Sequence, residues 1–142
     1  MSKVAVVFWS GTGNTEAMAD AVAQGARGAG ASVDVLGPSD FNATKVTAYD
    51  GIAFGCPAMG AEVLEEDEFE PMFAEVKGAL SGKPIALFGS YGWGDGEWMR
   101  NWETRVKEAG ADLFGDKGLI VNEAPSDDDI ASCKKFGEDF AK

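Results

Sequence analysis

Six small residues stand in a row at Ser10-Gly11-Thr12-Gly13-Asn14-Thr15. Hydroxyls, an amide and two glycines in that order offer many hydrogen-bond donors and no charge. Glycine lets the backbone curl so that successive N–H groups point inward and cradle an anion. A helix opening at the same place adds its positive end. A triphosphate-binding loop needs Gly-Lys-Ser/Thr, whereas here Gly13 is followed by Asn14. The pattern therefore points to one terminal phosphate held by dipoles alone. The plainer alternative is an ordinary capped strand-to-helix turn, against which six consecutive small donors argue.

A second segment, Ser90-Tyr91-Gly92-Trp93-Gly94-Asp95-Gly96, isolates Trp93 between glycines. A core Trp sits in an apolar periodicity, and this one does not. Its flat ring on a donor-rich turn suits stacking on a planar aromatic ligand, with glycine amides free to approach the ligand edge. Tyr91, Trp98 and Trp102 read instead as packing residues. A third segment is Cys56-Pro57-Ala58-Met59-Gly60-Ala61-Glu62. Met59 offers a soft, polarizable cover for the other face of the same ligand. Gly60 permits a peptide that changes conformation at low steric cost.

Other chemistries lack their residues. There is no His, so no His general base, His metal ligand or His-containing triad. Two Cys, Cys56 and Cys133, cannot supply the four thiolates of a common iron–sulfur cluster. Cys56 ends an apolar run and reads as buried structure with no neighbour to activate it. A small phosphatase needs C-x5-R, and from Cys56 that register closes on Glu62. A phospho-receiver needs an Asp where Cys56 stands. The formal charge of −12 argues against nucleic acid and anionic membranes as partners. The start of the chain reads as strand rather than signal peptide, and no apolar run approaches a membrane span, so a cytoplasmic protein is expected.

The elements that must present these segments can be read from charge. Residues 4–15, 51–61 and 84–94 carry no charge at all, while the nine residues 62–70 include six acids. Each neutral window starts as a short apolar run and ends in turn residues, the pattern of a strand buried on both faces. Residues 33–36 read as a further strand, and 112–114 with 119–121 as one interrupted last strand. Helical spacing covers 15–27, 68–80, 97–109 and 127–141. Alternation of this kind predicts an α/β fold: five parallel strands, doubly wound, with helices on both faces, in a single domain spanning 1–142. Ligands of such sheets sit beyond the carboxyl ends of the strands, where the three neutral windows deliver their loops.

With these residues in view, the whole chain resembles the flavodoxins, specifically the short-chain, clostridial-like type. The resemblance rests on the 10–15 cradle, the 56–62 turn with its Ala-Met-Gly, the acidic stretch at 65–71 and the Phe-Gly-Ser-Tyr-Gly-Trp-Gly-Asp-Gly-Glu-Trp run at 88–98. It implies a strand order of 2-1-3-4-5, non-covalent FMN as cofactor and one-electron transfer as activity, mainly between semiquinone and hydroquinone. By resemblance, Ser10, Gly11, Thr12, Gly13, Asn14 and Thr15 hold the phosphate. Met59 and Trp93 flank the ring, with Pro57, Ala58, Ser90 and Tyr91 in the same walls. The amides of Gly92, Trp93 and Gly94 meet the pyrimidine edge. Glu62, with the backbone of Ala61, accepts from N3–H, and the Gly60 carbonyl swings toward N5 on reduction. Pro57 stands where some relatives carry a phosphate-binding hydroxyl, and Ala61 where close relatives carry Asp.

The resemblance also implies how the protein would act. The flavin performs the chemistry and the protein tunes it. An uncharged wall ringed by acids predicts a low potential and a ferredoxin-like donor to redox enzymes. The acids would steer partners with basic docking surfaces, and a monomer without substrate turnover of its own is expected. The alternative is a small FMN-dependent reductase acting on NAD(P)H or a quinone.

Overall fold

The computed structural model describes all residues, 1–142. Strand β1 (Lys3–Phe8) leads into helix α1 (Asn14–Gly28), then β2 (Ser32–Leu36), β3 (Gly51–Gly55), α2 (Phe69–Val76), β4 (Pro84–Tyr91), α3 (Glu97–Glu108), β5 (Asp112–Leu113), β6 (Leu119–Asn122) and α4 (Asp127–Ala141). All pairings are parallel and the order is β2-β1-β3-β4-β5, with β6 also on β4. This is the expected order, and the last strand is interrupted as its sequence predicts. β5 pairs with Pro84 and Ile85, and β6 with residues from Phe88 to Tyr91. A 3-10 turn at Phe114–Asp116 separates them, with Gly115 and Asp116 both at positive φ.

The central strands sort their side chains by parity. Ala5, Val7, Ile52, Phe54, Ile85 and Leu87 face one layer; Val4, Val6, Ala53, Ala86 and Phe88 face the other. The period-two pleat of a strand requires this division. The first layer is aromatic. Phe54 meets Phe73 edge-on at 5.5 Å, and Phe69 meets Trp102 at 5.5 Å, beneath α2 and α3. The second layer is built from small residues, Ala19, Ala21, Ala23 and Ala26 among them, beneath α1 and α4. There the two helices touch through their backbones. A Cβ on Gly25 would lie 1.9 Å from the Lys134 carbonyl oxygen, and one on Gly137 would lie 2.0 Å from that of Val22.

One stretch carries structure that the sequence reading left unassigned, and another differs from that reading. The connector before β3 is not featureless: it holds 3-10 turns at Pro38–Asp40 and Ala43–Ala48, the second capped by the Asn42 side chain. The helix expected over 68–80 is α-helical only to Val76 and tightens into a 3-10 turn at Lys77–Ala79. Gly78 there favours leaving the α conformation, yet Leu80 is still fully buried. Helix α4 opens with a capping box at Ser126. Ser126 Oγ accepts from the Asp129 N–H, and Asp129 Oδ2 accepts from the Ser126 N–H.

Candidate functional site

The sheet brings β1, β3 and β4 side by side, so their carboxyl ends share one edge. From β1 the chain winds outward to β2, then returns to β3 on the other side, which makes the β1–β3 boundary the switch point of the sheet. A cavity of about 260 Å³ lies there. Nine of the residues singled out by sequence line it: Gly11, Thr12, Asn14, Pro57, Ala58, Met59, Ser90, Tyr91 and Gly92. All three neutral segments therefore contribute to one site.

The first loop is fixed from within. Ser10 Oγ accepts from the N–H groups of Gly13 at 3.1 Å and Glu16 at 3.2 Å. Thr15 and Ser90 are both buried, and their hydroxyls share a hydrogen bond of 2.8 Å that ties the start of α1 to β4. Ser10, Gly13 and Thr15 thus stand behind the cavity wall and shape it. Gly13, the residue before α1, sits at φ 96°, which favours glycine. The next two amide N–H groups, of Asn14 and Thr15, donate to no partner within the chain, as the first turn of any helix leaves them. Open N–H groups at a helix start give that end of the loop a positive character that suits an anion.

The middle loop is a tight turn. Met59 and Val63 exchange both backbone hydrogen bonds, at 2.8 and 3.0 Å. Between them Gly60 sits at φ 44° and Glu62 at φ 55°, a left-handed conformation that L side chains rarely adopt. Gly60 and Ala61 are exposed at the tip. Glu62 turns away from the cavity wall and lies against the third loop. A Cβ on Gly94 would come 2.2 Å from Glu62 Oε1, so only glycine admits this contact. That carboxylate oxygen is buried and has no hydrogen-bond partner. An ionised carboxylate in such a place is suited to accept from an N–H of a planar ligand. Trp93, on the same rim, is 65% exposed. Tyr91 both lines the cavity and packs on Trp98 at 5.5 Å, while Trp98 and Trp102 are buried, as their spacing predicts.

Two lining residues were not singled out from the sequence: Trp9 and Glu123. Trp9 follows β1, and its ring lies 3.0 Å from where a Cβ on Gly11 would stand. Its indole N–H donates to Glu68 Oε2 at 2.9 Å. Glu123 follows β6, whose pairing with the end of β4 carries it to the cavity. The signal for both was position: each is the first residue beyond a strand that reaches the site edge.

The acidic stretch is less uniform than its composition. Glu65 is buried, and its carboxylate accepts from the amides of Asp67, Glu68 and Phe69 at 2.8–2.9 Å, which caps α2. Burial alone would raise its carboxyl, but the three amides outweigh burial and hold it below the ordinary range. Glu70 makes a two-pronged pair with Arg105 at 2.7 and 2.8 Å. Glu62 is turned inward and Glu68 holds Trp9. Only Glu66 and Asp67 remain as exposed acids whose side chains are uncommitted. Cys56 is buried beneath the middle loop, and burial pushes its thiol up to about 12, so it is inert, as the sequence implied.

A family model described as flavodoxin matches residues 6–137. The chain is 48% identical to flavodoxin from Megasphaera elsdenii, covering 98% of each. It is 46% identical to flavodoxin from Clostridium beijerinckii, covering 96% of this chain and 97% of that one. Its fold superposes on the solution structure of two-electron reduced Megasphaera elsdenii flavodoxin with a TM-score of 0.88, at 47% identity, over 97% of this chain and 98% of that one. These likenesses do not favour the reductase alternative. No helix is long and apolar enough to cross a membrane.

Proposed function

The chain belongs to the flavodoxin family of small FMN-binding electron carriers, and on that premise we propose that it works at low potential, donating single electrons to redox enzymes as a ferredoxin does. When bound, FMN supplies the electron uptake and release; the chain holds it and sets its energy. The observation that carries this reading is the buried Glu62 Oε1 with no partner, facing Gly94. Its fixed charge suits an N–H donor at the pyrimidine edge of a flavin and opposes added negative charge on the ring.

Roles follow for the other residues. Thr12, Asn14 and the open amides of Asn14 and Thr15 take the phosphate. Ser10 and Thr15 hold the loop in shape. Met59 and Trp93 cover the two ring faces, with Pro57, Ala58, Ser90, Tyr91 and Gly92 completing the walls. No cation in these loops offsets a reduced ring. One acid at ~10 Å and an effective dielectric of ~40 opposes an added electron by about 0.8 kcal/mol, roughly 35 mV. Glu62 supplies such a charge at the rim, with Glu66 and Asp67 further out.

The exposed acids would meet partners through basic docking surfaces, with association that weakens as salt rises. The protein acts as a monomer and turns over no substrate of its own. Two buried free thiols, Cys56 and Cys133, fit the reducing cytoplasm. The test is a titration of cofactor-free protein with FMN, followed by flavin fluorescence. Stoichiometric quenching supports the assignment; a protein that leaves FMN fluorescence unchanged contradicts it.

A further inference from the structure

Glu123 is the one charged residue lining the cavity. Its backbone lies at φ 60°, a conformation that Gly or Asn adopts far more readily. The strain is held in place. The Glu123 N–H donates to the Tyr91 carbonyl at 2.7 Å, and Asn122 Nδ2 donates to the same oxygen at 3.2 Å. A residue kept in a costly backbone conformation at the rim of a binding cavity argues for a role in that cavity.

The side chain narrows the role. An ionised carboxylate only accepts hydrogen bonds, so its ligand must be a donor, and a phosphate would be repelled. Of the other polar groups in the cavity, the Ser90 hydroxyl is committed to Thr15 and the Trp9 N–H to Glu68, while Thr12 and Asn14 belong to the phosphate loop. Glu62, the other acid near the site, lies against Gly94 on the far rim. Resting on the assignment of FMN as cofactor, we propose that Glu123 is a specificity-determining residue. Its carboxylate accepts from hydroxyl groups of the polyol chain that joins the flavin ring to the phosphate. It thereby selects a hydroxylated chain over a plain alkyl one.

The test compares wild type and Glu123→Gly against two ligands. One is FMN; the other is a flavin carrying the same phosphate on a five-carbon chain without hydroxyls. Glycine removes the carboxylate and also relieves the backbone, so a merely structural role would not weaken binding. Glu123→Gly is expected to bind FMN about tenfold or more weakly than wild type and to bind the alkyl analogue as wild type does. The cofactor-free variant is expected to melt no lower than wild type. Equal losses for both ligands, or no loss for FMN, would overturn the role of Glu123 while leaving FMN as the cofactor. A wild type that binds neither ligand would overturn the cofactor assignment and this role together.

Discussion

The loop at residues 10–15 and the turn at residues 59–63 serve one cavity and are built in opposite ways. The first is secured by side chains of its own: Ser10 bonds two amides, and Thr15 is locked to Ser90 in a buried pair. The second is closed only by the Met59–Val63 backbone pair. It carries a Glu at φ 55° and a buried oxygen that receives no hydrogen bond. An L residue in that conformation costs roughly 1–2 kcal/mol. Anchoring a phosphate rewards a loop fixed before the ligand arrives, because less freedom is lost on binding. Setting a potential rewards a charge whose interactions change with the state of the ring. The rigid loop should therefore govern affinity, and the strained turn should govern energy.

The largest break in this contrast comes from beneath the turn. Glu65→Ala removes the acceptor for three amides and is expected to cost about 3 kcal/mol, measured by urea unfolding of the cofactor-free protein. The same carboxylate sets an acid limit. Because its folded pKa is depressed, its contribution is complete above the unfolded value of ~4.3 and is lost as pH falls through the lower folded value. Glu65→Gln should flatten that part of the stability–pH curve.

Next in size is the anchor. Thr15→Val leaves the buried Ser90 hydroxyl without its partner, for about 2 kcal/mol of stability and a weaker grip on FMN. Adding Ser90→Ala should return most of the stability, since removing both partners costs less than removing one. A smaller effect separates binding from folding. Trp93 is 65% exposed, so Trp93→Ala should change stability by less than ~0.5 kcal/mol. Its FMN affinity should fall about tenfold, the worth of a stacking contact. The smallest is Glu62→Gln, which keeps the shape of the turn and is expected to raise the lower one-electron potential by roughly 35 mV.

Much of this was legible in residue order. The neutral windows gave the three strands and their loops because a strand buried on both faces tolerates no charge, and Gly-rich turns mark where it ends. The interruption of the last strand, read at 115–118 and found from Phe114 on, was likewise a local signal. What was not legible depends on pairing between distant segments. Trp9 and Glu123 belong to the site only because β1 and β6 end at its edge. Six acids in nine residues read as one charged face, yet Glu65 folds inward to cap α2, and Glu70 turns to Arg105 on α3. Composition cannot separate a structural carboxylate from a solvated one, because the amides and guanidinium that hold it come from elsewhere.

The central claim is that a cavity with no cation in its walls, ringed by carboxylates, makes a reduced flavin costly. The most direct measurement is a one-electron potentiometric titration of the FMN-loaded protein. The expected result is two separated steps, the lower one distinctly more negative than that of free FMN. A lower step at the free-FMN potential would contradict the account.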